Sequence, residues 1–162
     1  MELGVPVFLI EDQYQFILHH KVMFTEQDVD VAVSITEEAQ PKYSSLRFCS
    51  FDRGFHSQAN RKRLDELLDL NALPRKGRLS KAVRERESEE DFVEARCQHP
   101  VVESAINALD HRGLDRTRNY GAESFANTVV LSILASNMHR LGDLLRKRER
   151  ERRRRKRLKL AA

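Results

Sequence analysis

The sequence predicts a layered α/β domain that continues into C-terminal helices and a basic tail. Three observations carry this. Short β-branched apolar runs alternate with helical spacing up to residue 74, apolar stripes recur at helical spacing after Pro100, and the charge balance changes sign near residue 146. The elements follow in order. The run Val5-Pro6-Val7-Phe8-Leu9-Ile10 reads as a strand broken by Glu11-Asp12-Gln13, and residues 16–23 read as a second strand. Together they predict a hairpin through residues 11–15, although the turn lacks the favoured Asn-Gly pair. Residues 25–43 have helical spacing, with Val29, Ala32, Val33 and Ile35 apolar, Thr25 as N-cap and Pro41 as the stop. Residues 46–51 alternate as a strand that runs into Asp52-Arg53-Gly54. A helix over about 57–68 and a short strand, Asn71-Ala72-Leu73-Pro74, complete a β–α–β alternation.

Residues 75–94 are nearly all charge before Phe92 and read as a mobile connection or a solvated helix. From Pro100, which suits a first helical turn, Val101, Val102, Ala105, Ile106 and Leu109 form one stripe that Gly113 ends. A last helix begins near Ala122, with Phe125, Val129, Val130, Ile133, Leu134, Met138, Leu141 and Leu145 expected on its buried side. It fades into a tail over residues 146–162 that is either a helical extension or disordered.

A length of 162 residues suits one domain with a tail, and 40% hydrophobic residues suffice for one core. No stretch has the eighteen or so apolar residues that a span needs, which excludes a membrane partner. The N-terminus carries no basic segment of a signal peptide, so a cytoplasmic location is expected. Cys49 and Cys97 lie far apart without a CxxC partner and are expected to be reduced. Residues 146–159 hold eleven Lys or Arg against Glu149 and Glu151, a net of +9, which leaves −5 for the rest. The pI near 9.3 therefore belongs to the tail.

Two acids stand out. Asp52 closes an apolar strand before Gly54, at a sheet edge where α/β proteins place functional groups, and it reads equally as a turn aspartate. Glu103 has His99 one turn before it and Asn107 one turn after, a polar stripe that also reads as a solvated helix face. His19 and His20 are neighbours on a strand, so their side chains point to opposite faces and do not converge on a metal. Gly-rich phosphate loops and a Gly-x-Ser-x-Gly elbow are absent. The tail, with Arg152, Arg153, Arg154 and Arg155 in succession, suits a polyanion bound with strong salt dependence. Its bland alternative is a solubilising end.

Several stretches resemble the C-terminal half of a bacterial insertion-sequence transposase of the DDE type. They are Phe8-Leu9-Ile10-Glu11-Asp12-Gln13, residues 16–23 and 28–33, Cys49-Ser50-Phe51-Asp52-Arg53-Gly54-Phe55-His56-Ser57, residues 73–81, Gln98-His99-Pro100-Val101-Val102-Glu103 with residues 104–109, and Gly113-Leu114-Asp115. The resemblance runs in order over about residues 3–142. It implies a ribonuclease-H-like fold, a mixed sheet flanked by helices, in which three carboxylates hold two Mg²⁺ or Mn²⁺ ions for DNA cleavage and strand transfer. By resemblance Asp52 is the second acid and Glu103 the third, both catalytic and metal-holding, and His99 and Asn107 join residues 152–155 as DNA contacts. His99 stands where many relatives carry arginine, and Asp110 and His111 stand where a lysine is often found. The first acid belongs to a strand before residue 5, and Asp12, Asp28 and Asp30 do not match it. The expectation is a partial catalytic domain over residues 1–145, incomplete at the N-terminus, with 75–94 as an insertion. It would be inactive and partnered by insertion-sequence ends, target DNA, and a second copy or an intact transposase in the bacterial nucleoid. The alternatives are a non-catalytic DNA-binding remnant acting through the tail and a plain helical interaction protein.

Overall fold

The two leading apolar runs pair. Strands β1 (Val7–Glu11) and β2 (Ile17–Val22) form an antiparallel hairpin with Val7 opposite Val22 and Leu9 opposite His20. The register slips between Ile10 and Glu11, so Glu11 faces Ile17. Asp12 builds the turn, its Oδ1 accepting from the N–H groups of Tyr14 at 2.9 Å and Phe16 at 2.8 Å. Gln15 takes the left-handed conformation there, at φ 67°. An Asx turn thus closes the hairpin in place of the Asn-Gly pair that the sequence lacks. This computed structural model describes residues 5–98, 106, 107, 109 and 121–160.

Strand alternation makes the hairpin a middle layer. Phe8 and Ile10 enter one core, with Val31, Ile35, Phe51, Leu64 and Leu73. Val7 and Leu9 face the other way, against Ile17, Leu109, Val129 and Ile133. Helix α1 (Asp28–Ala39) lies over the first face and buries Val31, Ala32, Ile35, Thr36 and Ala39. It is shorter than residues 25–43, and Gln27 rather than Thr25 is its N-cap. The Gln27 N–H donates to Asp30 Oδ2 at 3.2 Å, and the Asp28 and Asp30 charges in the first turn suit the positive end of the helix dipole.

Strands β3 (Phe48–Ser50) and β4 (Leu70–Ala72) pair in parallel. A 3-10 turn (Arg53–Phe55) and helix α2 (Gln58–Leu67) make the crossover between them. Such a connection is what parallel pairing requires. Ser57 caps α2, its Oγ accepting from the Asn60 N–H at 3.0 Å. The chain is therefore mixed α/β. Among the described residues it holds two separate two-stranded ladders rather than one sheet, although both contribute to one hydrophobic core.

Of the two expectations for residues 75–94, a mobile connection or a solvated helix, the helical one stands, as two short and mostly exposed helices. These residues form most of helices α3 (Lys81–Glu87) and α4 (Glu90–Gln98), with Val83 and Phe92 buried. Two apolar anchors are enough because polar contacts add to them. Arg86 makes a double ion pair with Asp65, at 2.6 and 2.9 Å, and also donates to the Asn71 carbonyl. Helix α5 (Ala122–Leu160) runs unbroken for 39 residues. It buries Val129 and Ile133, with Phe125 beside them, but Val130, Leu134, Met138, Leu141 and Leu145 are exposed. At 100° per residue those eight positions cannot share one face, which corrects the sequence expectation. Of the helix expected from Pro100, Ile106, Asn107 and Leu109 are helical and the remainder lies outside the described residues. No helix among the described residues is long and apolar enough to cross a membrane.

Candidate functional site

Parallel pairing fixes where Asp52 stands. Phe51 leaves β3 buried, and Asp52 follows as the exposed N-cap of the 3-10 turn, just past the carboxyl end of the strand. The turn is held from beneath by Asn60, whose amide donates to the carbonyls of Val29 at 2.6 Å and Phe55 at 2.9 Å. That clamp joins the turn to the N-terminal end of α1. It consequently brings Asp28 next to Asp52. A Cβ built on Gly54 would lie 3.2 Å from Asp28 Oδ2 and 3.7 Å from Asp52 Oδ2, so glycine leaves room for two carboxylates to approach. Asp28, which does not match the family's first acid in sequence, is the carboxylate found beside Asp52.

The other predicted site residues divide. Glu103 and His99 lie outside the described residues, so their relation to Asp52 is not part of this structure. Asn107 is helical and exposed. Residues 152–155 are exposed on α5, and among the described residues only Arg153 of the four pairs with an acid, Glu149, at 2.9 Å. Arg96 on α4, seven positions before Glu103 in the sequence, donates from Nη1 to the Phe51 carbonyl at 2.7 Å. It ties the C-terminal turn of α4 to the residue just before Asp52. Among the described residues no three His, Cys, Asp or Glu side chains group to hold a metal. Asp28 and Asp52 alone are two hard oxygen donors, short of the set that fixes a pair of divalent ions. No catalytic step follows from them.

An open cleft of about 470 Å³ lies one 3-10 turn beyond Asp52, lined by His56, Arg61, Lys62, Asp65, Arg75 and Arg86 among others. Asp65 is taken by Arg86 and by the Asn71 amide, which holds its carboxyl below the ordinary range despite partial burial. Arg61, Lys62 and Arg75 form no ion pair within 4 Å among the described residues, although Asp65 is close enough to Arg61 to feel its charge. Burial, then the charges of Arg61 and Arg75, push His56 below its usual value. The cleft therefore carries excess positive charge next to the Asp52 edge. Sequence reading missed it because the cations come from α2, α3 and the segment after β4, and the alternation of elements gives no hint that they meet.

The second cationic feature is longer. Residues 146–160 continue α5 for roughly 22 Å at 1.5 Å per residue. Residues 146–158 are all exposed. Arg146 pairs with Asp143 at 2.6 Å and Arg153 with Glu149, leaving most of the arginines without an acid among the described residues. Of the other features read from the sequence, Cys49 and Cys97 are free thiols, and burial raises Cys49 to about 11. The rings of His19 and His20 stand 6.4 Å apart, edge to face, and His19 Nε2 lies 3.4 Å from Glu38 Oε2. No family model, no curated protein and no solved structure matches this chain.

Proposed function

We propose that the chain is a DNA-binding protein related to the catalytic domain of DDE transposases, and that α5 beyond Arg146 is its main contact with the DNA backbone. The observation that carries the reading is the exposed arginine-rich extension of α5, attached to a body whose own net charge is negative. A body of net −5 repels a polyanion, so attraction has to come from local cation clusters. The tail and the cleft beside Asp52 are the two such clusters described above. Phosphates neutralised along the helix would release counterions, which gives affinity without sequence preference.

The order β-β-α-β-α-β, an antiparallel ladder followed by a parallel one, supports the ribonuclease-H-like part of the reading. In that fold a central strand would join two such ladders into a single sheet. The test is fluorescence anisotropy of a labelled duplex. Changing Arg152, Arg153, Arg154 and Arg155 to Gln should weaken retention, and Asp52→Asn should leave it unchanged. Equal retention of the duplex by the four-glutamine variant removes the reading.

A second reading keeps metal chemistry, with Asp52 and Glu103 holding Mg²⁺ or Mn²⁺ at insertion-sequence DNA ends and His99 and Asn107 beside them. It is favoured by one contact, the Arg96 bond to Phe51, because α4 leads into the His99–Glu103 segment from a point fixed next to Asp52. Calorimetric titration with Mn²⁺ tests it. Heat that is lost in both Asp52→Asn and Glu103→Gln supports this reading, and heat unchanged by either substitution removes it.

A further inference from the structure

Helix α5 carries a second apolar stripe, and its spacing is regular. Leu131, Leu134, Met138, Leu141 and Leu145 recur at intervals of three, four, three and four, and each is 49–66% exposed. This is the a/d pattern of a helix that packs against another helix. At 100° per residue the stripe is centred about 140° around the helix from Val129 and Ile133, which pack on the hairpin, and Asn137, bonded to Ile17, lies between the two. One face of α5 thus packs on the body, while among the described residues this second stripe stays exposed.

The flanks of the stripe are uncharged. Val130, Asn137 and Leu144 run along one side, and Thr128, Ala135 and Gly142 along the other. Gly142 is informative. A glycine inside a helix costs about 1 kcal/mol relative to alanine. Here a Cβ would meet nothing within 4 Å, so no neighbour among the described residues requires it. Close approach of a second helix backbone would.

We propose that two copies of this chain pair antiparallel through this stripe of α5. The chain's own residues close the interface: Leu134 against Leu145 and Met138 against Leu141 of the other copy give four consecutive a–d layers about a two-fold axis. Charge sets the orientation. A parallel pair would lay two segments of net +9 side by side, whereas an antiparallel pair sends them to opposite ends, each toward a copy whose body carries net −5. The stripe faces away from Val129 and Ile133, with only its Asn137 flank adjoining the hairpin, so the two bodies sit away from the seam of the helix pair. This inference does not depend on the DNA reading.

Sedimentation velocity of the full chain without DNA, across a concentration series, is the test. Wild type should shift from monomer to dimer as concentration rises, and Leu134→Glu with Leu141→Glu should stay monomeric. Both positions are exposed, so circular dichroism of that variant should match wild type. Orientation is read from spin labels placed by Arg154→Cys in a Cys97→Ser background. Antiparallel pairing puts the two labels about 45 Å apart, from 1.5 Å rise per residue on each side of the axis. A wild type monomeric at every concentration overturns the proposal. So do a dimer that survives the double substitution and labels lying within about 20 Å of each other, the separation of side-by-side helices with their label arms.

Discussion

Replacing Glu11 by Gln should make the protein more stable at pH 8 while changing it little at pH 5. Glu11 ends β1 at the register slip, half-buried, and its Oε2 is enclosed without a hydrogen-bond partner among the described residues. Burial first, then the neighbouring Asp12 charge, lift its carboxyl from 4.5 to about 7, against a smaller opposing pull from Arg140. The folded state therefore holds a proton that the unfolded chain releases. This contribution is fully present below about pH 4.5 and is lost as pH rises through 7. At 1.36 kcal/mol per pH unit the full displacement would amount to about 3.4 kcal/mol. Solvent reaches half of the group, so we expect about 1–2 kcal/mol. His20 and His56, both held below their usual values, act in the opposite sense and lose stability as pH falls. Comparing wild type with Glu11→Gln at each pH cancels them. Urea unfolding at pH 5 and pH 8 provides the assay. The advantage of the variant should grow by about 1–2 kcal/mol between the two, and an advantage that is equal at both, or smaller at pH 8, refutes the argument.

Two further substitutions test how the layers are joined. Asn137 on α5 accepts from the Ile17 N–H and donates to the Ile17 carbonyl, both at 2.9 Å, so Asn137→Ala strands two backbone groups. A loss of about 1–3 kcal/mol is expected, with faster amide exchange at Ile17 as the readout. Leu64 is fully buried beneath α1 and the turn, so Leu64→Ala should cost about 2–5 kcal/mol in denaturant unfolding, whereas Leu158→Ala, on the exposed end of α5, should cost nothing measurable.

How far the sequence could be read depended on whether a feature is local. The hairpin, the start of α2 near Ser57 and the β3–α2–β4 crossover follow from apolar alternation and helical spacing within a few residues, and they stand close to where the spacing predicts. For residues 75–94 the choice between a connection and a solvated helix stayed open because Val83 and Phe92, nine positions apart, make no periodic signal, and the contacts that hold α3 and α4 come from Arg86 and Arg96 reaching distant partners. On α5 the apolar residues were legible but their division was not, since two stripes on one helix look like a single dense stripe when read linearly. At the Asp52 edge, position was legible and company was not. Asn60, which clamps the turn, and Asp28, which shares it, lie on separate helices, and only the crossover brings them together.

The salt dependence of duplex binding tests the central claim most directly. In a sodium chloride series followed by anisotropy, each phosphate contact contributes about 0.9 to the slope of log affinity against log salt. Removing the four charges at 152–155 should flatten the slope by up to about 3.6 if all four reach phosphates. A slope unchanged by those substitutions, or a full chain that ignores DNA even in dilute salt, would contradict the account.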